Sequence, residues 1–121
     1  MIKKIAFVGY PTQDPAASKA FWGEVLGLKQ SNDYSDKWCE FDAPDGKTIA
    51  VDGFSPEGSK PYLALETDDI EAEVARLKAA GVEFHVDLMD NKVCKMAILK
   101  DPSGHAVMLH QIAPERVAGA Q

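Results

Sequence analysis

The feature that most constrains how this chain can fold is an internal repeat. The segment Phe7–Asp14 and the helical pattern after it match the segment Tyr62–Asp69 and the helical pattern after it, 55 residues later. Gly27 and Gly81 end the two helical patterns. A unit of this size is too small to bury its own apolar face, so we predict that the two copies together form one domain.

A second pair of matching segments completes each copy. Residues 41–52 match residues 99–110 at an offset of 58, which gives the second copy a slightly longer middle. Each segment contains a turn of Pro, a small polar residue and Gly, at residues 44–46 and 102–104. Glycine accepts the positive φ that such turns demand, so these segments predict two β-hairpins.

Alternating apolar and polar residues predict eight strands, near residues 3–11, 28–31, 37–42, 47–52, 61–67, 82–87, 93–100 and 105–111. Asp14 and Asp69 are predicted helix N-caps. Each copy is therefore predicted to have the order β-α-β-β-β, and the fold class is α+β. We expect one domain over residues 1–112, with modules at about 1–54 and 60–112, a linker at 53–61 and a flexible tail at 113–121.

Composition and charge argue against several classes of function. Thirteen basic residues against nineteen acidic ones give a net charge of −6, and no basic run exceeds Lys3-Lys4, so no nucleic-acid partner is expected. No apolar stretch approaches the roughly 20 residues that cross a bilayer, and no signal peptide is evident, so no membrane partner is expected. Cys39 and Cys94 match no disulfide or metal motif. We expect a cytoplasmic protein with reduced thiols.

The repeat and several motifs together resemble the vicinal oxygen chelate superfamily, which contains glyoxalase I, extradiol dioxygenases and bleomycin-binding resistance proteins. The matching motifs lie at residues 14–28, 68–70, 77–82 and 101–104. The resemblance implies that the modules form an incompletely closed, cup-shaped barrel of mixed β-sheet with helices on its convex side. It also implies a homodimer. Function needs a separate argument because this fold supports several chemistries.

The resemblance implies a specific place for the chemistry. Metal-dependent members hold one divalent ion through four side chains, one on the first and one on the last strand of each module. In this chain those positions are Phe7, Ala50, Tyr62 and Met108, and none of these residues is a useful ligand for such an ion. We therefore expect no metal and no other cofactor, and an apolar ligand pocket of the kind found in the binding-protein branch.

Strand alternation sorts the side chains into a face under the helices and a face that forms the cavity wall. The face under the helices is predicted to carry Val8, Tyr10, Ile49, Val51, Leu63, Leu65, Val107 and Leu109. Cys39 and Phe41 join the cavity wall if the first hairpin has an even loop, whereas an odd loop moves them to the other face. The predicted ligand-binding wall consists of Phe7, Cys39, Phe41, Ala50, Asp52, Tyr62 and Met108.

Three polar side chains on the predicted wall have open alternatives. Asp52, Glu66 and His110 could hold a relocated metal ion, or they could supply a general base and its orienting partner. They could also be solvated groups at strand ends. We take Glu66 and His110 as the catalytic candidates, because the ordinary pKa of histidine lies near working pH. Cys94 is expected to be a small buried apolar group.

The predicted function is that of a metal-free protein that binds a small organic molecule, aromatic or amphipathic, in an apolar pocket. Asp52 and Glu66 would favour a cationic or hydrogen-bond-donating ligand, which aromatic faces also attract. The alternative is a glyoxalase-like lyase, isomerase or dioxygenase that uses Asp52, Glu66 and His110 with a shifted divalent metal. A third possibility is a degenerate module that only dimerises with an active partner.

Overall fold

The structure is a computed structural model that describes residues 1–114. Its strands are β1 Ile2–Pro11, β2 Lys29–Ser35, β3 Trp38–Asp42, β4 Thr48–Asp52, β5 Tyr62–Thr67, β6 Phe84–Asp90, β7 Cys94–Lys100 and β8 Ala106–Ile112. Its helices are α1 Pro15–Lys19, which continues as a π-helical segment at Ala20–Val25, and α2 Ile70–Ala79. This order confirms β-α-β-β-β in both copies and the α+β class. Most of the predicted tail, residues 115–121, lies outside the described residues.

The chain divides into two compact units. The first unit is Phe7–Tyr62, and the second unit joins Met1–Ala6 to the chain from Leu63 onward. The strand order is β2-β3-β4-β1 in the first unit and β5-β8-β7-β6 in the second. Each order contains one parallel pair, β1 with β4 or β5 with β8, and antiparallel pairs beyond it. The sheet is therefore mixed, and it is open at β2 and β6.

Both predicted helix caps are confirmed. The carboxylate of Asp14 accepts a hydrogen bond from the N–H of Ala17 at 3.1 Å, and Asp69 accepts one from Ala72 at 3.1 Å. These bonds satisfy N–H groups that have no partner within the helix. Helix α2 then packs Ile70 and Val74 into the core of the second unit.

The register of the first hairpin shows that two wall residues were wrongly predicted. Cys39 pairs with Val51 and Phe41 with Ile49, and residues paired across strands share a face. The last pair, Asp42 with Thr48, leaves an odd loop of residues 43–47. Cys39 and Phe41 therefore lie in the helix-side core with Trp22 and not on the opposite face.

The same register moves two other residues to the predicted wall. Trp38 pairs with Asp52, and Glu40 pairs with Ala50. The indole N–H of Trp38 donates to Glu40 at 2.9 Å. Neither residue was predicted to lie on the wall. The odd number of residues in the loop was the sequence signal that could have identified both.

Candidate functional site

In the first unit, the ring of Tyr62 covers Gly9. A Cβ atom added at Gly9 would lie 2.2 Å from Cζ of Tyr62, so only glycine leaves room for this ring. The Phe7 ring meets the Tyr62 ring edge-on, with centroids 6.5 Å apart, and meets the Trp38 ring with centroids 5.6 Å apart. Phe7, Tyr62 and Ala50 are all buried. These predicted wall residues thus pack against one another within the unit.

Asp52 binds four donors around this aromatic group. Its oxygens accept hydrogen bonds from the N–H groups of Phe54 (2.8 Å) and Ser55 (3.1 Å), the Ser55 hydroxyl (2.7 Å) and the Tyr62 hydroxyl (2.7 Å). Burial, and then the neighbouring Asp52 carboxylate, raises the pKa of Tyr62 well above its ordinary value. Tyr62 is therefore a neutral donor, and Asp52 orders the chain around it.

In the second unit, the structure brings the two predicted catalytic residues together. Glu66 on β5 and His110 on β8 are register partners, and Oε1 of Glu66 lies 2.6 Å from Nδ1 of His110. The other carboxylate oxygen accepts the N–H of Ile112 at 2.8 Å. Both side chains are only about one-seventh exposed, at 15% for His110 and 14% for Glu66. The pair is thus fixed in position and largely shielded from water.

This environment changes the charge expected on His110. Burial by itself would lower the pKa of His110, but hydrogen bonds with Cys94 and Glu66 outweigh burial and raise that pKa to about 9. His110 is therefore an imidazolium at neutral pH. In that state it can donate a proton or attract an anionic group, whereas a resting general base would have to be neutral.

Cys94 is a member of this group that the sequence analysis did not identify. Cys94 pairs with Ile112 and Met96 pairs with His110, so Cys94 and His110 are diagonal neighbours on one face of the sheet. Cys94 is half-buried and contributes to the raised pKa of His110, which differs from the expected small buried apolar group. Met108, buried on the same face, pairs with Ile98.

Two concavities lie away from the predicted ligand-binding wall. One of about 410 Å³ in the first unit is bordered by the start of α1, Lys37 and Gly53. The other, of about 270 Å³ in the second unit, is lined by Asp90, Lys92, Cys94, Lys95, Gln111, Ile112, Ala113 and Pro114. Of the nine predicted site residues, none lines either concavity.

The donor chemistry bears on the predicted alternative of a shifted metal site. Within residues 1–114, no group of three or more His, Cys, Asp or Glu side chains is placed to hold a metal ion. The oxygens of Asp52 and Glu66 are engaged by the donors already described. The shifted metal site of Asp52, Glu66 and His110 stays a prediction.

Comparison with known sequences decides the family. The profile of the Glyoxalase/Bleomycin resistance protein/Dioxygenase superfamily matches residues 4–109. The chain belongs to this superfamily. The uncharacterized protein YwbC of Bacillus subtilis (strain 168) is 30% identical over 96 residues, which cover 69% of this superfamily member and 76% of YwbC.

Solved structures show the same superfamily fold. Methylmalonyl-CoA epimerase from Mycobacterium tuberculosis matches with a TM-score of 0.76 and 18% identity, over 97% of this chain and 93% of that one. A superfamily member from Vibrio splendidus 12B01 matches with a TM-score of 0.65 and 18% identity, over 93% of this chain and all of that one. At such identities the likeness concerns the fold alone. Among the helices of residues 1–114, none has the length and apolar content that crossing a bilayer requires.

Proposed function

We propose that this superfamily member binds a small organic molecule without a metal ion, on the strand face of the second unit that carries His110. The observation that carries the proposal is the composition of the four superfamily metal positions, which are Phe7, Ala50, Tyr62 and Met108. None of them offers a useful donor to a divalent ion.

The residues on that face indicate the class of ligand. Met96 and Ile98 lie opposite His110 and Met108 across β7 and β8, so thioether and aliphatic groups surround one charged imidazole. Such an arrangement suits a largely apolar molecule with one polar group that fixes its orientation. That Phe7, Ala50, Asp52 and Tyr62 also contact a ligand stays a prediction.

The charge of the ligand is the point at which the structure revises the earlier expectation. Asp52 and Glu66 were expected to attract a cation, but their oxygens already accept hydrogen bonds from protein donors. On this face the positive charge of the His110 imidazolium lies beside Glu66 as an ion pair, and its N–H groups are charge-assisted donors. We therefore infer that the ligand carries a carboxylate or a comparable anionic group.

The test is a calorimetric and thermal-shift comparison of aromatic and aliphatic carboxylates with their uncharged amides, in the presence of EDTA. Binding of at least one carboxylate, at least tenfold tighter than its amide, is expected, and the preference should disappear in His110→Gln. His105→Gln, which changes an exposed histidine beside Asp101, is the matched control. Absence of any stabilising ligand, or binding that needs an added divalent ion, contradicts the proposal.

A second candidate is a lyase or isomerase in which His110 acts as a general acid. It is favoured by the 2.6 Å contact between Glu66 and His110, which holds a proton donor in a fixed orientation. Such an enzyme would accelerate exchange of the α-proton of a bound carbonyl compound with deuterated water. NMR detection of this exchange in the wild type, and its loss in His110→Gln, would place this candidate ahead of simple binding.

A further inference from the structure

A nucleophile, an imidazole and a carboxylate lie together in the second unit. Nδ1 of His110 lies 2.6 Å from Oε1 of Glu66, and Cys94 lies beside His110 on the neighbouring strand β7. The strand register makes Cys94 and His110 neighbours. Cys94 on β7 pairs with Ile112 on β8, and His110 lies two residues before Ile112 on the same face. An imidazole beside a thiol, oriented by a third group, is the arrangement that activates cysteine nucleophiles.

From this group we propose that Cys94 is a nucleophilic thiol, activated by His110 and positioned through Glu66, that adds to small electrophilic alkenes conjugated to a carbonyl group. This activity is separate from the proposed ligand binding, because it requires a covalent step at Cys94 and no ligand at Met108.

The repeat shows that the fold itself does not require these three residues. At the offsets of the two copies, the positions that match Glu66, His110 and Cys94 hold Pro11, Asp52 and Asp36. The parallel pairs Glu66 with His110 and Pro11 with Asp52 confirm the first two of these matches. The same strand framework is thus built in the first unit without a thiol, an imidazole or a Glu at these places. The strand framework therefore does not require Glu66, His110 and Cys94 at these positions.

Access distinguishes Cys94 from the other cysteine. Cys94 lines the concavity of about 270 Å³, where Lys92 and Lys95 also lie. This volume suits a small molecule with a polar carbonyl group. The lining carries both signs of charge, because Asp90 also lies there and Lys95 is paired with Glu71 at 2.7 Å. Cys39 is fully buried, and burial raises the pKa of its thiol. Cys39 is therefore an unreactive internal reference in the same chain.

The proposed reaction is an addition that balances without a further reagent. The thiolate of Cys94 attacks the β-carbon, a sulfur–carbon bond forms, and the π-electron pair of the alkene moves toward the carbonyl. The thiol proton leaves to water beside the imidazolium of His110, the imidazolium donates its own proton to the α-carbon, and water then reprotonates the imidazole. Nothing is oxidised or reduced, and no group leaves. Glu66 stabilises the imidazolium during the step through its contact with Nδ1.

The test uses N-ethylmaleimide, an activated alkene, on the full-length protein at pH 7 under pseudo-first-order conditions. Intact-mass measurement and peptide mapping should find one adduct per chain, on Cys94 and not on Cys39. The rate should exceed that of free cysteine-containing tripeptide at least tenfold. It should fall at least tenfold in His110→Gln and stay within twofold in the matched control His105→Gln.

The role of Glu66 is tested by measuring the labelling rate of Cys94 as a function of pH. Loss of a positioning carboxylate shifts the pH at which the rate rises, whereas unfolding does not. The rate profile of Glu66→Gln should move to higher pH, because the imidazolium beside the thiol loses the carboxylate that stabilises it. Labelling of Cys39 reports unfolding in every variant. An unreactive Cys94 would overturn its assignment as the nucleophile. An unchanged rate in His110→Gln, while Cys39 stays protected, would overturn activation by His110. An unchanged pH profile in Glu66→Gln would overturn the positioning role of Glu66.

Discussion

His110 shows how a single side chain acquires a property that its own residue type does not give it. Its neighbours come from distant parts of the chain: Glu66 lies 44 residues earlier, and Cys94 lies on the next strand. Their hydrogen bonds hold the pKa of His110 near 9 in spite of burial. A charged and rigidly held imidazole results, which is the common element of the binding proposal and the thiol proposal.

The raised pKa predicts how stability depends on pH. The folded pKa of about 9 lies above the ordinary value of 6.5, so the stabilisation is complete below about pH 6.5 and is lost as pH rises through 9. Since one pKa unit corresponds to about 1.4 kcal/mol, we expect the free energy of unfolding to fall by on the order of 3 kcal/mol over this window. Urea unfolding between pH 6.5 and 9.5 measures it.

The matched variants separate His110 from other groups that titrate in this range. His110→Gln should lose most of this pH dependence, because a glutamine side chain does not titrate. His105→Gln changes a histidine whose side chain is 76% exposed, and it should follow the wild type. Parallel stability curves for the wild type and His110→Gln would show that the imidazole contributes nothing to the dependence.

At the scale of elements, most of the secondary structure could be predicted from the sequence. The strands and caps depend on local signals, namely alternation, aspartates before helices and glycines after them. β2 and β6 extend further than predicted, to Ser35 and Asp90, because pairing with β3 and β7 orders residues that lack an apolar pattern. The continuation of α1 as a π-helical segment was also not predicted, since nothing in Ala20–Val25 signals it.

Side-chain faces were less predictable than the strands that carry them. The faces of β1, β4, β5 and β8 follow from apolar alternation, and the cores with Val51 and Leu109 agree with it. For β3, both alternating sets, one with Trp38 and one with Cys39 and Phe41, contain apolar residues. Alternation therefore could not choose between them, and the loop length had to decide.

The contact between β1 and Tyr62 gives a prediction at this scale. Gly9→Ala places a methyl group inside the Tyr62 ring, with its nearest atom at 2.2 Å. We expect a loss of about 1–3 kcal/mol in the free energy of unfolding, because the ring must move away from Asp52. The matching position in the second unit is Ala64, which is fully buried, so alanine is compatible with the strand geometry at the equivalent place.

A double-mutant cycle measured by urea unfolding isolates the contact. In a Tyr62→Ala background, the additional cost of Gly9→Ala should drop below about 0.5 kcal/mol. If Gly9→Ala costs the same with and without the ring, the glycine is required for backbone reasons and the proposed contact is not its cause.

At the scale of the whole molecule, the repeat predicted the architecture but not the chemistry. Two copies share strand order and pairing, yet equivalent positions hold different side chains, as at Asp52 and His110. The family resemblance predicted which four positions correspond to the metal ligands of other members. It could not show that Asp52 orders a neighbouring loop or that Cys94 lies beside His110, because both depend on how separate strands pair.

The expected homodimer leads to a prediction about the assembled molecule. Phe21, Val25 and Leu26 are exposed along the π-helical segment and its end, at 46%, 71% and 51%. Contiguous exposed apolar side chains are typical of surfaces that another chain covers. We expect size-exclusion chromatography with light scattering to give about twice the chain mass of 13.2 kDa.

Substitution then tests this surface. Val25→Lys should shift the dissociation constant of the dimer at least tenfold toward monomer. Met89→Lys introduces the same change at an apolar residue that is 46% exposed on β6, and it should leave the mass unchanged. A monomeric wild type contradicts the dimer, and a dimer unaffected by Val25→Lys places its interface elsewhere.

The four hydrogen bonds of Asp52 have a consequence for the connection between the copies. They hold Phe54 and Ser55 where the connection leaves β4, and Tyr62 where it enters β5. One carboxylate thus fixes the chain on both sides of the exposed residues 56–61. Within this segment the N–H of Ser59 donates to the carbonyl of Pro56 at 3.1 Å, so foreign peptide inserted after Lys60, beyond that turn, should cost little in loop entropy.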